Sequence, residues 1–348
     1  MPALRLLFVC LGCISGFAYA IEIEAIGPGA WAALQPQERR FDDSNSLIVA
    51  AEDFVIVVDA QENVDDVRSI IDFAQSDIGK PVRYLINTHW HSDHTQGNTL
   101  YVAAFGEDLN IIGHRSHPQD IVDRALPYLE ARVSRIRNAL PAAKEQLASG
   151  IKSDSSRFSA DEMALQKEQI EQAEAWVAAN ENVQFTLPTM TIGASFSVDA
   201  GAASFTIYPL RGHTRGDLIV HFPELGLLAS GDLVDAMPYS GHGYPAEWLN
   251  ALWEIDALQA STLLPGHGEV LHDRTLLTEL EKYFTSLTSQ VRALAAEGKD
   301  LQTINAEVDL SDSRQMLAGD DAAAGRFFDQ VQTEAIARSY EEVTQNIE

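Results

Sequence analysis

Two short apolar runs, Leu47 to Ala50 and Phe54 to Val58, flank the acidic pair Glu52-Asp53, a pattern that predicts two strands joined by a tight connection and ending at Asp59. Val64, Val67, Ile70, Ile71 and Phe73 recur at helical spacing over residues 63–76, and Val82 to Ile86 is another short strand after Pro81. Strand, helix, strand predicts an α/β layer. A further apolar run follows at Asn110 to Gly113. Beyond it, Val122, Leu126, Leu129, Val133, Ile136 and Leu140 alternate steps of four and three, which predicts a long helix packed against a second one from about Asp161 to Asn180. Residues 118–180 therefore read as a helical insertion. Strand-like alternation returns at Val183 to Phe185, Met190 to Ile192, Ser195 to Val198, Ser204 to Tyr208, Leu218 to Phe222 and Leu227 to Ala229. The last third turns helical, with Leu280, Phe284, Leu287, Val291 and Leu294 on one face and Phe328, Val331, Ala335 and Tyr340 on another.

Composition narrows the choice of partner. The 348 residues are 46% hydrophobic, enough for one large domain or two modest ones, and carry a formal charge of -27. An acidic chain without a Lys/Arg run repels phosphate backbones and anionic lipid surfaces, so no nucleic-acid partner is expected.

The first twenty residues join Arg5 to an apolar run from Leu6 to Phe17 and an Ala18-Tyr19-Ala20 ending, the layout of a secretory signal peptide. Cleavage after Ala20 is expected, with the mature chain periplasmic or secreted and not inserted in a membrane, since no later stretch is apolar enough to span one. Both cysteines, Cys10 and Cys13, fall inside this segment. The mature chain would then hold neither disulfides nor thiolate metal ligands.

The chemistry concentrates just past the Val82 to Ile86 strand, in His89-Trp90-His91-Ser92-Asp93-His94. Side chains alternate faces in an extended segment, so His89 and His91 can converge on one ion, while a turn at Asp93-His94 can offer both to a second. Two more histidines sit at strand ends, in Gly212-His213-Thr214 and Pro265-Gly266-His267-Gly268, and Ser230-Gly231-Asp232 adds a carboxylate able to bridge two ions. Imidazole and carboxylate without thiolate suit zinc and also admit iron or manganese. His114, His117, His221, His242 and His272 lie outside this constellation, with His242 in a loop able to face it. Asp59 reads as a structural residue that orients a ligand.

These motifs resemble the metallo-β-lactamase superfamily, over roughly residues 25 to 112 and 183 to 272. The resemblance implies a four-layer αββα sandwich over residues 21–300, interrupted by the 118–180 insertion and followed by a helical extension over 301–348. It implies that His89, His91 and His213 hold one ion, that Asp93, His94 and His267 hold another, and that Asp232 bridges them. Two Zn2+ are the expected cofactors. Neither the insertion nor the tail belongs to the family's common pattern.

Two ions close together acidify a shared water and polarise the oxygen under attack, so the expected activity is hydrolysis of an ester, thioester, lactone, amide or β-lactam bond in a small molecule. Asp93 is the expected catalytic carboxylate, orienting the hydroxide or relaying its proton. Subclass B1 β-lactamases carry a cysteine where Asp232 stands, so the ligand set is closer to the family's ester and lactone hydrolases. Two alternatives stay open: an iron-dependent redox enzyme on the same ligands, and a non-catalytic metal protein accessory to a periplasmic quinoprotein-type system. Trp90, Tyr239, Tyr244 and Trp248 are candidate aromatic surfaces for a substrate.

Overall fold

The computed structural model describes residues 21–37, 40 and 43–345. The expected signal segment, with Cys10 and Cys13, lies outside the described residues.

Two sheets face each other. The first has seven strands in chain order: β1 (Glu22–Gly27), β2 (Ala30–Leu34), β3 (Ser46–Ala50), β4 (Val55–Val58), β5 (Val82–Ile86), β6 (Asn110–His114) and β7 (Met190–Ile192). The second has five, in the order β12 (Thr262–Pro265), β11 (Leu227–Gly231), β10 (Asp217–Phe222), β9 (Phe205–Leu210), β8 (Phe196–Val198). Pairing is antiparallel from β1 to β4 and parallel from β4 to β7, as the helical connection between β4 and β5 requires.

The period-2 pattern sorts every central strand between two cores. Leu47, Val49, Ile56, Val58 and Ile86 point inward and meet Ile207, Leu218, Val220 and Leu227 of the second sheet. Their neighbours Ile48, Val55, Val57 and Leu85 point outward onto α1 (Val64–Asp72) and α3 (Asn98–Phe105), through Val67, Ile70 and Tyr101. On the far side Ile219, Leu228 and Leu263 meet α7 (Pro245–Ala257) and α8 (Thr275–Ala296), through Trp248, Leu252, Ile255, Leu280 and Phe284. The result is the expected four-layer α/β/β/α sandwich. Between α1 and α3 lies α2 (Ser92–Thr95), a single turn inside the histidine motif.

The insertion opens with α4 (His117–Asp120), runs through a π-helical turn over Ile121–Ala125 and continues as α5 (Leu126–Ser149) and α6 (Ala160–Asn180). Leu129, Val133 and Ile136 pack on Ala173 and Val177, the pairing that the apolar stripe predicts. Gly150, with φ +70°, ends α5 in the left-handed region. Ser159 and Glu162 start α6 with reciprocal side-chain to backbone bonds of 3.2 and 2.7 Å. Three further helices, α9 (Leu301–Glu307), α10 (Ser311–Ala318) and α11 (Ala322–Gln345), share one core with α7 and α8 through Ile304, Leu310, Phe328 and Ile336. Among the described residues no helix is long and apolar enough to cross a membrane.

One expected strand is absent. Val183 to Phe185 forms no ladder, because both apolar side chains of that stretch are used against the insertion helices instead.

Candidate metal centre

Every candidate ligand sits at the C-terminal end of a strand. The turn after β5 carries His89, His91, Asp93 and His94; β9, β11 and β12 are followed by His213, Asp232 and His267. Sheet geometry brings these four loops to one edge of the sandwich, and all seven side chains meet there.

They divide into two clusters. His89, His91, His213 and Asp232 form one, and Asp93, His94 and His267 form the other. Asp232 faces both. Its Oδ2 lies 3.4 Å from His213 Nε2 and 3.8 Å from His89 Nε2. Its Oδ1 lies 3.2 Å from His94 Nε2 and 3.6 Å from His267 Nε2. Asp93 Oδ2 closes the second cluster, 3.2 Å from His94 Nε2 and 3.3 Å from His267 Nε2. In the first, His91 turns Nδ1 to within 3.1 Å of His213 Nε2.

The remaining ring nitrogens are tied down. His94 Nδ1 lies 2.8 Å from Asp59 Oδ2, while Asp59 accepts the Thr88 backbone N–H at 2.7 Å and the Thr88 hydroxyl. His213 Nδ1 donates to the Tyr239 carbonyl at 3.0 Å, and His89 Nδ1 meets the Thr88 hydroxyl at 3.2 Å. Asp59 sits at φ +66°, a sparsely populated conformation for a side-chain-bearing residue that aspartate tolerates better than most. Glycine is required at Gly266, since a Cβ there would fall on Asp232 Oδ1.

Burial holds the His89, His91 and His213 rings below the usual histidine range, neutral and with a lone pair to offer. For His94 burial acts the same way, but the carboxylates of Asp59, Asp93 and Asp232 outweigh it and raise the ring. Burial likewise pushes Asp232 up, and the surrounding His94, His267 and His89 reverse the effect, holding it well below the usual carboxylate range. Lone pairs are thus ready on the His89, His91 and His213 side of Asp232, whereas the His94 and His267 rings would exchange a proton for a cation.

A cleft of about 260 Å³ opens over the cluster. The fold's core supplies its floor, and the two additions supply its walls: Ala125, Tyr128 and Arg132 from the insertion and Phe327 from α11. Trp90 and Tyr239 face the cleft as expected. Tyr244 and Trp248 do not. Trp248 is fully buried with its indole N–H on the Leu233 carbonyl at 2.9 Å, and Tyr244 is buried beneath the Arg211 and Arg338 guanidinium groups.

Two more side chains join the site, Asp235, which no motif announces, and His242, whose loop the sequence marks as able to face it. Asp235 forms a third group with Asp232 and His267, and burial raises its carboxyl to about 7. His242 places Nδ1 3.0 Å from His91 Nε2. Both belong to the loop after β11, whose course no local pattern dictates.

The model of the metallo-beta-lactamase superfamily matches residues 39–139. No curated protein sequence matches the chain. Among solved structures, the metallo-β-lactamase FIM-1 from Pseudomonas aeruginosa, in a mono-zinc form, is 17% identical with a TM-score of 0.50, over 77% of this chain and 96% of that one. A metallo-β-lactamase from Hirschia baltica is 15% identical with a TM-score of 0.50, over 76% and 98%. Pisa1 from Pseudomonas sp., a stereoselective inverting sec-alkylsulfatase, is 15% identical with a TM-score of 0.61, and the match takes in 93% of this chain but 50% of that one. Such identities show the fold alone; the His/Asp cluster it carries here is compatible with divalent metal. The matched segment contains the His89 to His94 motif, and the chain shares its sandwich fold with these metallo-β-lactamase structures.

Proposed function

We propose that the chain is a dinuclear zinc hydrolase that cleaves an ester, thioester, lactone or amide bond of a small molecule. The observation that carries this reading is Asp232, a buried carboxylate with one oxygen turned to each of two clusters of imidazole and carboxylate donors.

The residues fit such a pair of ions. His89 Nε2, His94 Nε2 and Asp232 Oδ1 are buried without an aligned hydrogen-bond partner, a cost the fold would otherwise bear for nothing. His89, His91 and His213 would hold one ion, Asp93, His94 and His267 the other, with Asp232 between them. The donor set also admits iron or manganese; zinc is the choice that tetrahedral nitrogen and oxygen donors favour. When bound, such ions acidify water towards neutrality and polarise a carbonyl oxygen.

The chain's own groups supply the rest. Asp93, with Oδ2 in the second cluster and a side chain partly open to the cleft, is the carboxylate placed to take a proton from the attacking water and pass it to the leaving group. Tyr128, Phe327, Trp90 and Tyr239 wall the cleft with aromatic surface, which would hold a substrate of modest size and exclude bulk water. The export signal read in residues 1–20 extends the proposal to a periplasmic or secreted enzyme.

The test is elemental analysis of the mature chain combined with a panel of a β-lactam, a lactone, a thioester and, because Pisa1 is a sec-alkylsulfatase, an alkyl sulfate. Two zincs per chain and hydrolysis that stops on chelation are expected. Two zincs with no turnover on any class of bond would defeat the enzymatic reading.

A further inference from the structure

The C-terminal helix packs chiefly on α8, touches the cleft through Phe327 and bonds to the loop that follows Asp232. That loop, over residues 233–244, holds two of the cluster histidines from behind. The Tyr239 carbonyl can only accept, so His213 carries its proton on Nδ1 and turns a lone pair on Nε2 towards Asp232. His91 is arranged in the opposite sense. Its Nδ1 faces the cluster, so its proton belongs on Nε2, which donates to His242 Nδ1 at 3.0 Å. The His242 ring is itself fixed between Trp90, against which it is tilted, and Tyr239, which it meets edge-on, with centroids 4.9 and 5.6 Å away.

The helix α11 fastens this loop at successive turns. Arg338 Nε donates to the Gly243 carbonyl at 2.9 Å, and its guanidinium lies over the Tyr244 ring, 5.1 Å from the centroid. Glu342 accepts the Ala246 backbone N–H at 3.0 Å, just past the loop's end. The second cluster has a different anchor, Asp59 on His94, carried by the first sheet.

We propose that His242 and the Tyr239 carbonyl form a clamp that sets the rings of His91 and His213, and that α11, through Arg338, braces the clamp. The inference rests on the dinuclear reading above. It assigns the C-terminal helices a task in metal binding that reaches one site and spares the other. His242 is a positioning residue: fixing the His91 tautomer leaves the Nδ1 lone pair free for an ion and the ring pre-aimed.

The experiment is competition for zinc between the mature chain and a chromophoric chelator, read as two successive dissociation constants, for the wild type and for His242→Phe, His242→Gln and Arg338→Met. Phenylalanine keeps the ring volume without an acceptor, and glutamine restores one. His242→Phe and Arg338→Met are expected to weaken one of the two equivalents roughly 10- to 100-fold and leave the other unchanged, with His242→Gln nearer the wild type. Arg338→Lys, which keeps a donor for Gly243, should recover part of the loss, and Arg338→Gln stands in for Arg338→Met if that variant fails to fold. Equal loss at both sites, or none at either, would overturn the clamp while leaving the dinuclear reading intact. A wild type that binds no zinc, or one, would overturn both.

Discussion

A single carboxylate shows how tightly the site is drawn. Asp59 adopts a left-handed backbone at the end of β4 and in doing so gathers the Thr88 N–H, the Thr88 hydroxyl and His94 Nδ1 on two oxygens. An amide of the same shape offers one acceptor oxygen where the carboxylate offers two, and it carries no charge to hold the His94 N–H in place. Asp59→Asn is therefore expected to weaken one zinc equivalent roughly 10- to 100-fold with the fold retained. Unchanged affinities by the same chelator competition would reduce Asp59 to a purely structural role. The sequence discloses residues like these unevenly. His89, His91, Asp93 and His94 lie within a few positions of each other at a strand end, and spacing alone suggests their convergence. His242 and Asp235 reach the same place through a loop of irregular course: the sequence marks His242 only as able to face the site, and nothing within a few residues signals Asp235.

At the scale of elements, the root of the insertion is joined to the loop that carries His213. Asp120, buried in α4, binds Arg215 through Nε and Nη2 at 2.9 Å, and His117 donates from Nε2 to the Gly216 carbonyl at 2.7 Å while its Nδ1 accepts the His114 N–H at 3.1 Å. Both ring nitrogens of His117 are thereby used in the neutral form, and burial pushes its pKa down from 6.5 to about 3. The unfolded chain takes up a proton below 6.5 that the folded chain refuses. The stability contributed by this histidine is complete above pH 6.5 and lost as the pH falls from there towards 3, at about 1.4 kcal/mol per pH unit. Urea unfolding in chelator, which keeps metal loss out of the comparison, should show a shallower pH dependence for His117→Gln than for the wild type over that range; parallel curves would mean that the ring is hydrated or repaired in the folded state. The same scale explains which elements were legible. β3, β4 and β10 carry continuous apolar runs, Leu47 to Ala50, Val55 to Val58 and Leu218 to Val220, because both faces are covered, and α8 keeps a full helical stripe. β1 and β2 escaped notice: β1 is largely exposed, and β2 buries three alanines, whose small side chains give little alternation to detect. α7 was obscured differently, since Trp248 reads as a substrate-facing aromatic until its burial beneath α8 is seen.

For the whole molecule, the site is also a joint. His89, His91, Asp93 and His94 come from the seven-stranded sheet and His213, Asp232 and His267 from the five-stranded one, so each cluster draws candidate ligands from both halves of the sandwich. Within the first, neutral imidazoles crowd together, and in the second, carboxylates and charged rings depend on one another. Ions bound in this arrangement would tie the two sheets at one edge and would have no comparable site in the unfolded chain, so their binding free energy adds to folding free energy. At a free zinc concentration a thousand times the dissociation constant, one site contributes about 4 kcal/mol. Chelation is therefore expected to lower Tm by several degrees at least, and zinc added back should restore it, with the shift growing with free zinc. The acidic surface, at a formal charge of -27, would favour arrival of a cation over that of an anion at low salt, so the rate of zinc recovery should slow as ionic strength rises. A Tm insensitive to chelator, in a chain that elemental analysis shows to have lost its zinc, would mean that packing between Leu47, Ile56, Leu218 and Val220 holds the sheets together unaided and that the joint serves chemistry alone.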